Sequence, residues 1–429
     1  MRWLQTTMGE VCLPTVQIDP TRKGTGSFRY IDIAGIDREQ KTIFRADPIP
    51  CESAPSRARK LVQAGDVLVS TVRPNLNAVA LVPEELDGEI ASTGFSVLRA
   101  NPKLVNPHYL FYRVQHQEFV ACLVANATGA SYPAVTDGVV RRVFLPLPSL
   151  KEQARIVEIL DEADRLRRLR READAKAARI LPALFLKMFG DPATNPRGWP
   201  IVSIGDLTTL VTSGATPRGG AEVYVNQGPY LIRSQNVLMN RIDLSDAARI
   251  TNETHQQMSR TWVSIGDVLL NITGASIGRV AWVRQLDAQA NVNQHVCLIR
   301  PNRNLVNPAY LSSCLSLPFL QSTINSVQIG ASRQALNHVQ VRNLRIPKPS
   351  IALQSEFASQ AMQIEDLLEQ TDSTSIKLDA LWETLLQRAF SGQLTAKWRE
   401  AHNKELRAEM EQQARLLNLP LPKELELGL

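Results

Sequence analysis

At 429 residues, 44% of them apolar and 21% charged, the chain is long enough for about two or three globular domains with their own cores. No apolar run approaches the ~18 residues that span a bilayer, and the opening stretch Met1 to Thr6 lacks the apolar segment of a signal peptide, so a cytoplasmic protein without membrane contact is expected. The five cysteines, Cys12, Cys51, Cys122, Cys297 and Cys314, include no close pair, which argues against a disulfide framework or a zinc ribbon and predicts small buried hydrophobes.

In chain order, residues 1–150 predict a compact α+β head. Short apolar runs such as Asp66 to Val72 read as strands between Gly, Pro and Asn turns. Asn106-Pro107 opens a helix that turns Tyr109 and Leu110 inward. Gly65-Asp66 precedes a strand, where an acid serves the turn in preference to catalysis. At Pro146-Leu147-Pro148-Ser149 the pattern changes to a long helix over 151–191. There Ile159, Ala163, Leu166, Ala173, Ala177, Ile180 and Leu184 follow the three-four spacing of a coiled-coil seam, strained by Pro182. Residues 192–351 predict a second head and 352–392 a second long helix, with Phe357, Ala361, Ile364, Leu368, Leu378 and Leu385 on its seam. Gly190 and Gly392 suit C-caps. Residues 393–429 read as a polar helical tail, either packed on a partner or loose.

The second half repeats the first. Leu104-Val105-Asn106-Pro107-His108-Tyr109-Leu110 returns 201 residues later as Leu305-Val306-Asn307-Pro308-Ala309-Tyr310-Leu311. Gly65-Asp66-Val67-Leu68 returns at the same shift as Gly266-Asp267-Val268-Leu269, and the Pro-x-Pro-Ser motif with its following Gln153 returns with Gln354. Such a repeat predicts two similar units related by a pseudo-twofold. The first long helix has net charge +3 and the second −5 over residues 151–189 and 352–390, which favours their antiparallel pairing over self-pairing. At ~1.5 Å per residue that pair makes a rod of roughly 55 Å between the heads.

Catalytic chemistry is not indicated. Asn106-Pro107-His108-Tyr109 and its copy lack the second proline of the amino-methyltransferase loop, and no glycine-rich turn for S-adenosylmethionine precedes either. No phosphate-cradling motif is present, and the six histidines show no metal-ligand spacing. No catalytic or metal residue is assigned. Binding chemistry remains. The net charge is +6 with pI ≈ 9.1, and the second head carries thirteen arginines and Lys348 against seven acids. Excess positive charge suits a phosphate backbone. The loops add groove-reading side chains on permissive backbone: Arg73, Asn75 and Asn77; Ser131 and Tyr132; Arg233, Ser234, Gln235 and Asn236; Ser276 and Arg279; Arg333 and Gln334. The repeats diverge most there, as two different half-site readers would.

In the order and duplication of these motifs the chain resembles the specificity subunits of type I restriction-modification systems. The residues that carry this are Tyr230 to Val237, Gly266-Asp267-Val268-Leu269 with Thr273 to Gly278, and the helix starts that end in Gln153 and Gln354. The resemblance implies two target-recognition heads separated by paired coiled-coil helices. It implies a non-catalytic subunit that reads a split site in double-stranded DNA and docks two methyltransferase subunits and, through them, restriction and motor subunits. S-adenosylmethionine, ATP and magnesium are then expected on the partners, with no cofactor on this chain. An S-like subunit of an orphan or fused methylation system is the alternative. The first head departs from the pattern at Tyr30-Ile31-Asp32-Ile33-Ala34.

Overall fold

The computed structural model describes residues 3–23, 25–218, 220–326 and 335–420. They fall into two compact units, neither of them continuous in sequence: one drawn from Met1–Arg171 with Thr374–Leu429, the other from Glu172–Ser373. Each unit therefore contains one head and a piece of each long helix.

In the first unit an antiparallel sheet takes the spatial order Cys12–Leu13, Phe95–Ala100, Val67–Ser70, Val79–Leu81. All four residues of Val67–Ser70 are buried, because both faces of this central strand are covered. Alternate residues separate two cores. Val67, Val69, Val79 and Leu98 face the helices, while Leu68, Ala80 and Val97 face a second sheet. That second sheet orders Asp47–Pro50, Ser27–Ile31, Ile90–Ser92, Ala58–Leu61, with Ser27–Ile31 and Ile90–Ser92 parallel. The second unit repeats the plan. Thr208–Ser213, Val296–Pro301, Val268–Asn271 and Val280–Trp282 form its antiparallel sheet, and Tyr224–Ile232 pairs in parallel with Ala290–Val292. Its two cores divide by the same alternation, with Val268, Leu270 and Ile299 on one side and Leu269, Ala281 and Leu298 on the other.

The repeated motifs fasten each head to its helix. Leu4–Thr7 pairs with Phe144–Leu147, and Ile201–Ser203 with Arg345–Pro347, bringing the two ends of each head together where a long helix begins. Asn106 caps the helix Pro107–Arg113 by accepting from His108 N–H at 2.8 Å, and Asn307 caps Pro308–Ser316 by accepting from Ala309 N–H at 2.9 Å. The buried tyrosines of these helices donate to proline carbonyls, Tyr109 to Pro146 and Tyr310 to Pro347, both at 2.7 Å. Gln153 and Gln354 complete the latch. Each accepts from the Asn N–H at 2.8 Å, and each donates to a carbonyl just before its own helix, Pro148 at 2.8 Å and Pro349 at 2.9 Å.

The long helices differ from the single rods and seams expected. The first comprises Leu150–Ala177 and Ile180–Phe189, separated by a turn at Ala178-Arg179. Pro182 has no N–H to give to the preceding turn, so the helix restarts with proline in its first turn. Its buried stripe is Gln153, Ile156, Val157 and Leu160, then Leu181, Phe185 and Phe189, whereas Leu166 and Ile180 are exposed. The second helix, Ile351–Phe390, is continuous, and it buries Phe357 and Ala361 as expected, together with Trp382 and Leu386. Within each unit the helical pieces run antiparallel. In the first, Arg167 pairs with Asp379 at 2.8 Å while Glu152 meets Thr395 at 2.6 Å. In the second, Phe189 packs on Phe357 with ring centroids 5.3 Å apart, while Leu181, earlier in its helix, lines one cavity with Leu368, later in the other. The middle stretches, residues 161–180 and 366–381, contain no buried side chain among the described residues.

The tail folds back on its own chain. Asn403–Leu417 buries Leu406, Met410 and Ala414 in the first unit, and Gln413 donates to the carbonyl of Leu104 at 2.9 Å. Of the five cysteines, Cys51, Cys297 and Cys314 are buried and Cys12 and Cys122 are half-buried, all with free thiols; burial pushes the Cys297 and Cys314 thiols up to about 12. No helix among the described residues is long and apolar enough to cross a membrane.

Candidate nucleic-acid interface

In each head, loops from the two sheets meet along one rim. In the first, Thr71 donates its N–H and its hydroxyl to the carbonyl of Gly94, at 2.8 and 2.9 Å, joining the end of the central strand to the turn after Ile90–Ser92. On one side, Arg73 N–H donates to Pro133 at 2.7 Å and the Arg73 guanidinium lies 4.7 Å over the ring of Tyr132, which is 69% exposed. On the other, Gly94 touches Ile33 so closely that a Cβ there would meet the Ile33 Cδ1 at 2.6 Å. Beyond it, Phe44 N–H donates to Gly35 at 3.0 Å. Thr93 N–H donates to the carbonyl of the exposed Arg57 at 2.8 Å. The rim thus carries two exposed aromatic rings, Tyr132 and Phe44, among the exposed arginines Arg73, Arg57 and Arg45. Stacking surface interleaved with guanidinium groups is chemistry that nucleic acid accepts.

The second head builds the same junction from other side chains. Ile272 N–H donates to His295 at 3.0 Å, as Thr71 does to Gly94, and the Thr273 hydroxyl meets His295 Nδ1 at 2.5 Å. His295 Nε2 lies 3.0 Å from the Gln294 amide, and His338 Nε2 lies 3.0 Å from the Ser213 hydroxyl. Arg279 is exposed and Ser276 half-buried beside this cluster. Where the first head presents aromatic rings among arginines, the second presents hydroxyl, amide and imidazole groups beside Arg279.

The residues picked from sequence separate under this geometry. Arg73, Asn75, Ser131 and Tyr132 share the exposed loops of the first rim. Asn77 does not. It is half-buried, its carbonyl accepts from Lys41 Nζ at 2.7 Å, and with Lys41, Tyr112, Arg167 and Trp382 it lines a cavity of about 480 Å³ on the helix side. Burial lowers the Lys41 ammonium to about 8. Asn236 is a second correction. It is fully buried, its Oδ1 accepts from Arg233 N–H at 3.0 Å, and its amide donates to the Asp243 carbonyl and to Asp246 at 3.1 and 2.9 Å, so it shapes a turn and has no side-chain surface to offer a base. Gln235 is exposed but donates to Asp246 at 3.0 Å, and Arg233 and Ser234 are half-buried. Arg333 and Gln334 lie outside the described residues. Sequence reasoning missed Phe44, Arg45, Arg57, Thr93, Ser213, Gln294, His295 and His338; the polar run Asn293-Gln294-His295 between two apolar strands was a usable signal, whereas Phe44 and Arg57 join the rim only through sheet pairing.

The model of the type I restriction modification DNA specificity domain matches residues 51–176 and 196–378, one match in each half of the repeat. The chain belongs to this type I specificity family. Among the relatives of this specificity chain, the specificity subunit of the type I restriction enzyme EcoBI of Escherichia coli is 26% identical over 370 residues, covering 76% of each chain. The MjaVIII specificity subunit of Methanocaldococcus jannaschii is 18% identical over 352 residues, covering 79% of this chain and 81% of its own. A chain solved in work on complex assembly and conformational transition of the type I R-M system shares 28% identity and superposes with a TM-score of 0.56, covering 92% of this chain and 98% of that one. The S subunit of a type I system from M. genitalium shares the fold, with a TM-score of 0.54 at 12% identity over 91% of this chain and 96% of that one. The two-headed repeat expected from sequence is thus the family's recognition domain present twice.

Proposed function

We propose that this chain is the non-catalytic DNA-recognition and assembly subunit of a type I restriction-modification complex in the cytoplasm, each head reading one half of a bipartite, asymmetric site in double-stranded DNA. The observation that carries the reading is the rim built twice on one frame with different chemistry: Arg73, Tyr132 and Phe44 in one head, Thr273, His295 and His338 in the other. A shared frame sets how DNA is approached, and unlike side chains make the halves unlike. The middle of the long helices supports a docking role. Leu166 and Leu169 on the first, and Leu367, Ile376 and Leu381 on the second, are exposed, apolar side chains that a docked partner would cover. Two methyltransferase subunits are assigned to these helices, with restriction and motor subunits joining through them. Adenine methylation with S-adenosylmethionine, and ATP- and magnesium-dependent cleavage, then belong to the partners.

Mapping methylated adenines in the host genome with and without this gene tests the reading. A split, non-palindromic site that vanishes with the gene is the expected result; an unchanged methylation pattern rejects it. Filter binding of the full-length chain to target and scrambled duplexes across a salt titration checks direct contact, since phosphate neutralisation makes affinity fall with salt.

A further inference from the structure

We propose that Arg73 reads a guanine in the half-site of the first head, with Tyr132 as the residue that positions it. This rests on the DNA-reading role above and specifies the base and the device.

Arg73 has a left-handed backbone, φ 48° and ψ 62°. That conformation brings a Cβ too close to the neighbouring carbonyl and is unfavourable for any residue but glycine, with asparagine and aspartate the usual exceptions. The equivalent position of the second head, 201 residues on, is Gly274, also left-handed at φ 75°. The frame thus demands this conformation in both heads. One meets it with glycine; the other keeps an arginine there against the backbone preference. A strained residue that the surrounding structure fixes in place marks a function more often than a packing need. Packing gives no reason for the side chain, which is exposed, and no carboxylate pairs with it among the described residues.

The surroundings restrain the backbone of Arg73 and the loop that carries its ring partner. Arg73 N–H is tied to Pro133 at 2.7 Å, and Val135 N–H to Thr71 at 2.9 Å. The loop that carries Tyr132 is closed by reciprocal Thr128 and Ala134 backbone bonds, both 2.9 Å, and by Gly129 at φ 100°, where a Cβ would come within 2.8 Å of the Tyr132 carbonyl oxygen. With its Cζ 4.7 Å from the centroid of the Tyr132 ring, the guanidinium rests on that ring while the side chain stays exposed, leaving N–H donors free to meet a ligand. A phosphate needs only charge. A planar fork anchored in advance on an aromatic ring matches the O6 and N7 acceptors of guanine, which two parallel hydrogen bonds can reach in the major groove.

The test selects duplexes from a randomised pool with the full-length chain and sequences those retained, for wild type, Arg73→Gly, Arg73→Lys, Tyr132→Ala and Tyr132→Phe. Arg73→Gly installs the residue that the second head carries at the same left-handed position, so it should melt no lower than wild type. The expected result is a fixed guanine in one half of the wild-type motif that becomes degenerate in Arg73→Gly and Arg73→Lys, with every other position of the motif retained. Its preference should fall about ten- to a hundred-fold. Tyr132→Phe should keep the guanine and Tyr132→Ala should weaken it. Replacing that guanine with 7-deazaguanine should weaken wild type by a similar factor and add nothing in Arg73→Gly. A motif unchanged in Arg73→Gly overturns the assignment, as does a uniform loss over all duplexes with a shallower salt slope, the mark of a phosphate contact. A wild-type chain that enriches no motif overturns the DNA-reading role itself, and the guanine assignment with it.

Discussion

The guanidinium of Arg99 grips the buried carboxylate of Asp66 through two hydrogen bonds, Nε to Oδ1 at 2.9 Å and Nη2 to Oδ2 at 2.7 Å. Arg300 holds Asp267 in the same way at 2.8 and 2.7 Å, again 201 residues on. Each acid also accepts from the backbone N–H three residues earlier, Gln63 or Ser264, at 2.8 Å. The repeated Gly-Asp is therefore a turn lock: both carboxylate oxygens are engaged, and the hydrogen bonds that Arg99 and Arg300 donate to Asp66 and Asp267 hold the arginine pKa values above their ordinary range.

Asp267→Ala should destabilise the second unit by about 1–3 kcal/mol, because Ser264 N–H loses its acceptor and Arg300 its partner. Thermal melting checks this. Below the melting temperature, DNA selectivity should be unchanged, and a selectivity loss without a melting change would make Asp267 a reader.

Removal of residues 393–429 should destabilise the first unit. Glu152 is fully buried and accepts from Trp3 Nε1 at 3.0 Å, Thr395 Oγ1 at 2.6 Å and Arg399 Nε at 2.7 Å. Truncation strips the last two and leaves a buried carboxylate largely uncompensated, at a cost of about 3–5 kcal/mol. Glu152→Gln in the truncated chain should recover part of the loss in melting temperature; no recovery would place the cost in the lost apolar contacts of Met410 and Ala414.

The second unit should lose stability between pH 4.5 and about 7. Burial raises the Glu365 carboxyl from 4.5 to about 7 against the opposing pull of Arg284, with Glu369 and Asp366 adding to the rise. The folded state therefore holds this proton more tightly than the unfolded chain. Its contribution is fully present below pH 4.5 and is lost as pH rises through 7. Glu365→Gln should flatten the profile by about 1–3 kcal/mol, measured as the difference in denaturant midpoint between pH 5 and pH 8. An equally steep profile in the variant would assign the dependence elsewhere.

Insertion of four residues after Ala173, in the exposed middle of the first long helix, should lengthen it by ~6 Å. If the helices set the distance between the half-sites, the methylated site should keep both half-sequences while its gap changes by about one to two base pairs. Methylome mapping of the variant measures this, and a folded, assembled variant with the original gap rejects the helix as the ruler.

The sequence by itself determined the doubling, the head-helix alternation and the roles of Asn106, Tyr109 and Asp66, because these depend on short-range signals: caps, turns and a period of two along strands. The same signals located Arg73 and Tyr132 in separate loops. Only the tertiary structure laid one over the other, since pairing Val72 with Ala134 joins segments about sixty residues apart. It also decided which half of a polar loop faces outward: Asn236 and Gln235 are neighbours in sequence, yet one is a buried turn lock and the other exposed. Of the seam expected on the first long helix, Ala163 and Leu184 pack on the cores, but Leu160 is buried where Ile159 is expected, because in a helix so rich in charge the stripe is chosen by what covers it. Here the covering comes from Trp382, Leu386 and the C-terminal helix, parts of the first core more than two hundred residues away in the chain.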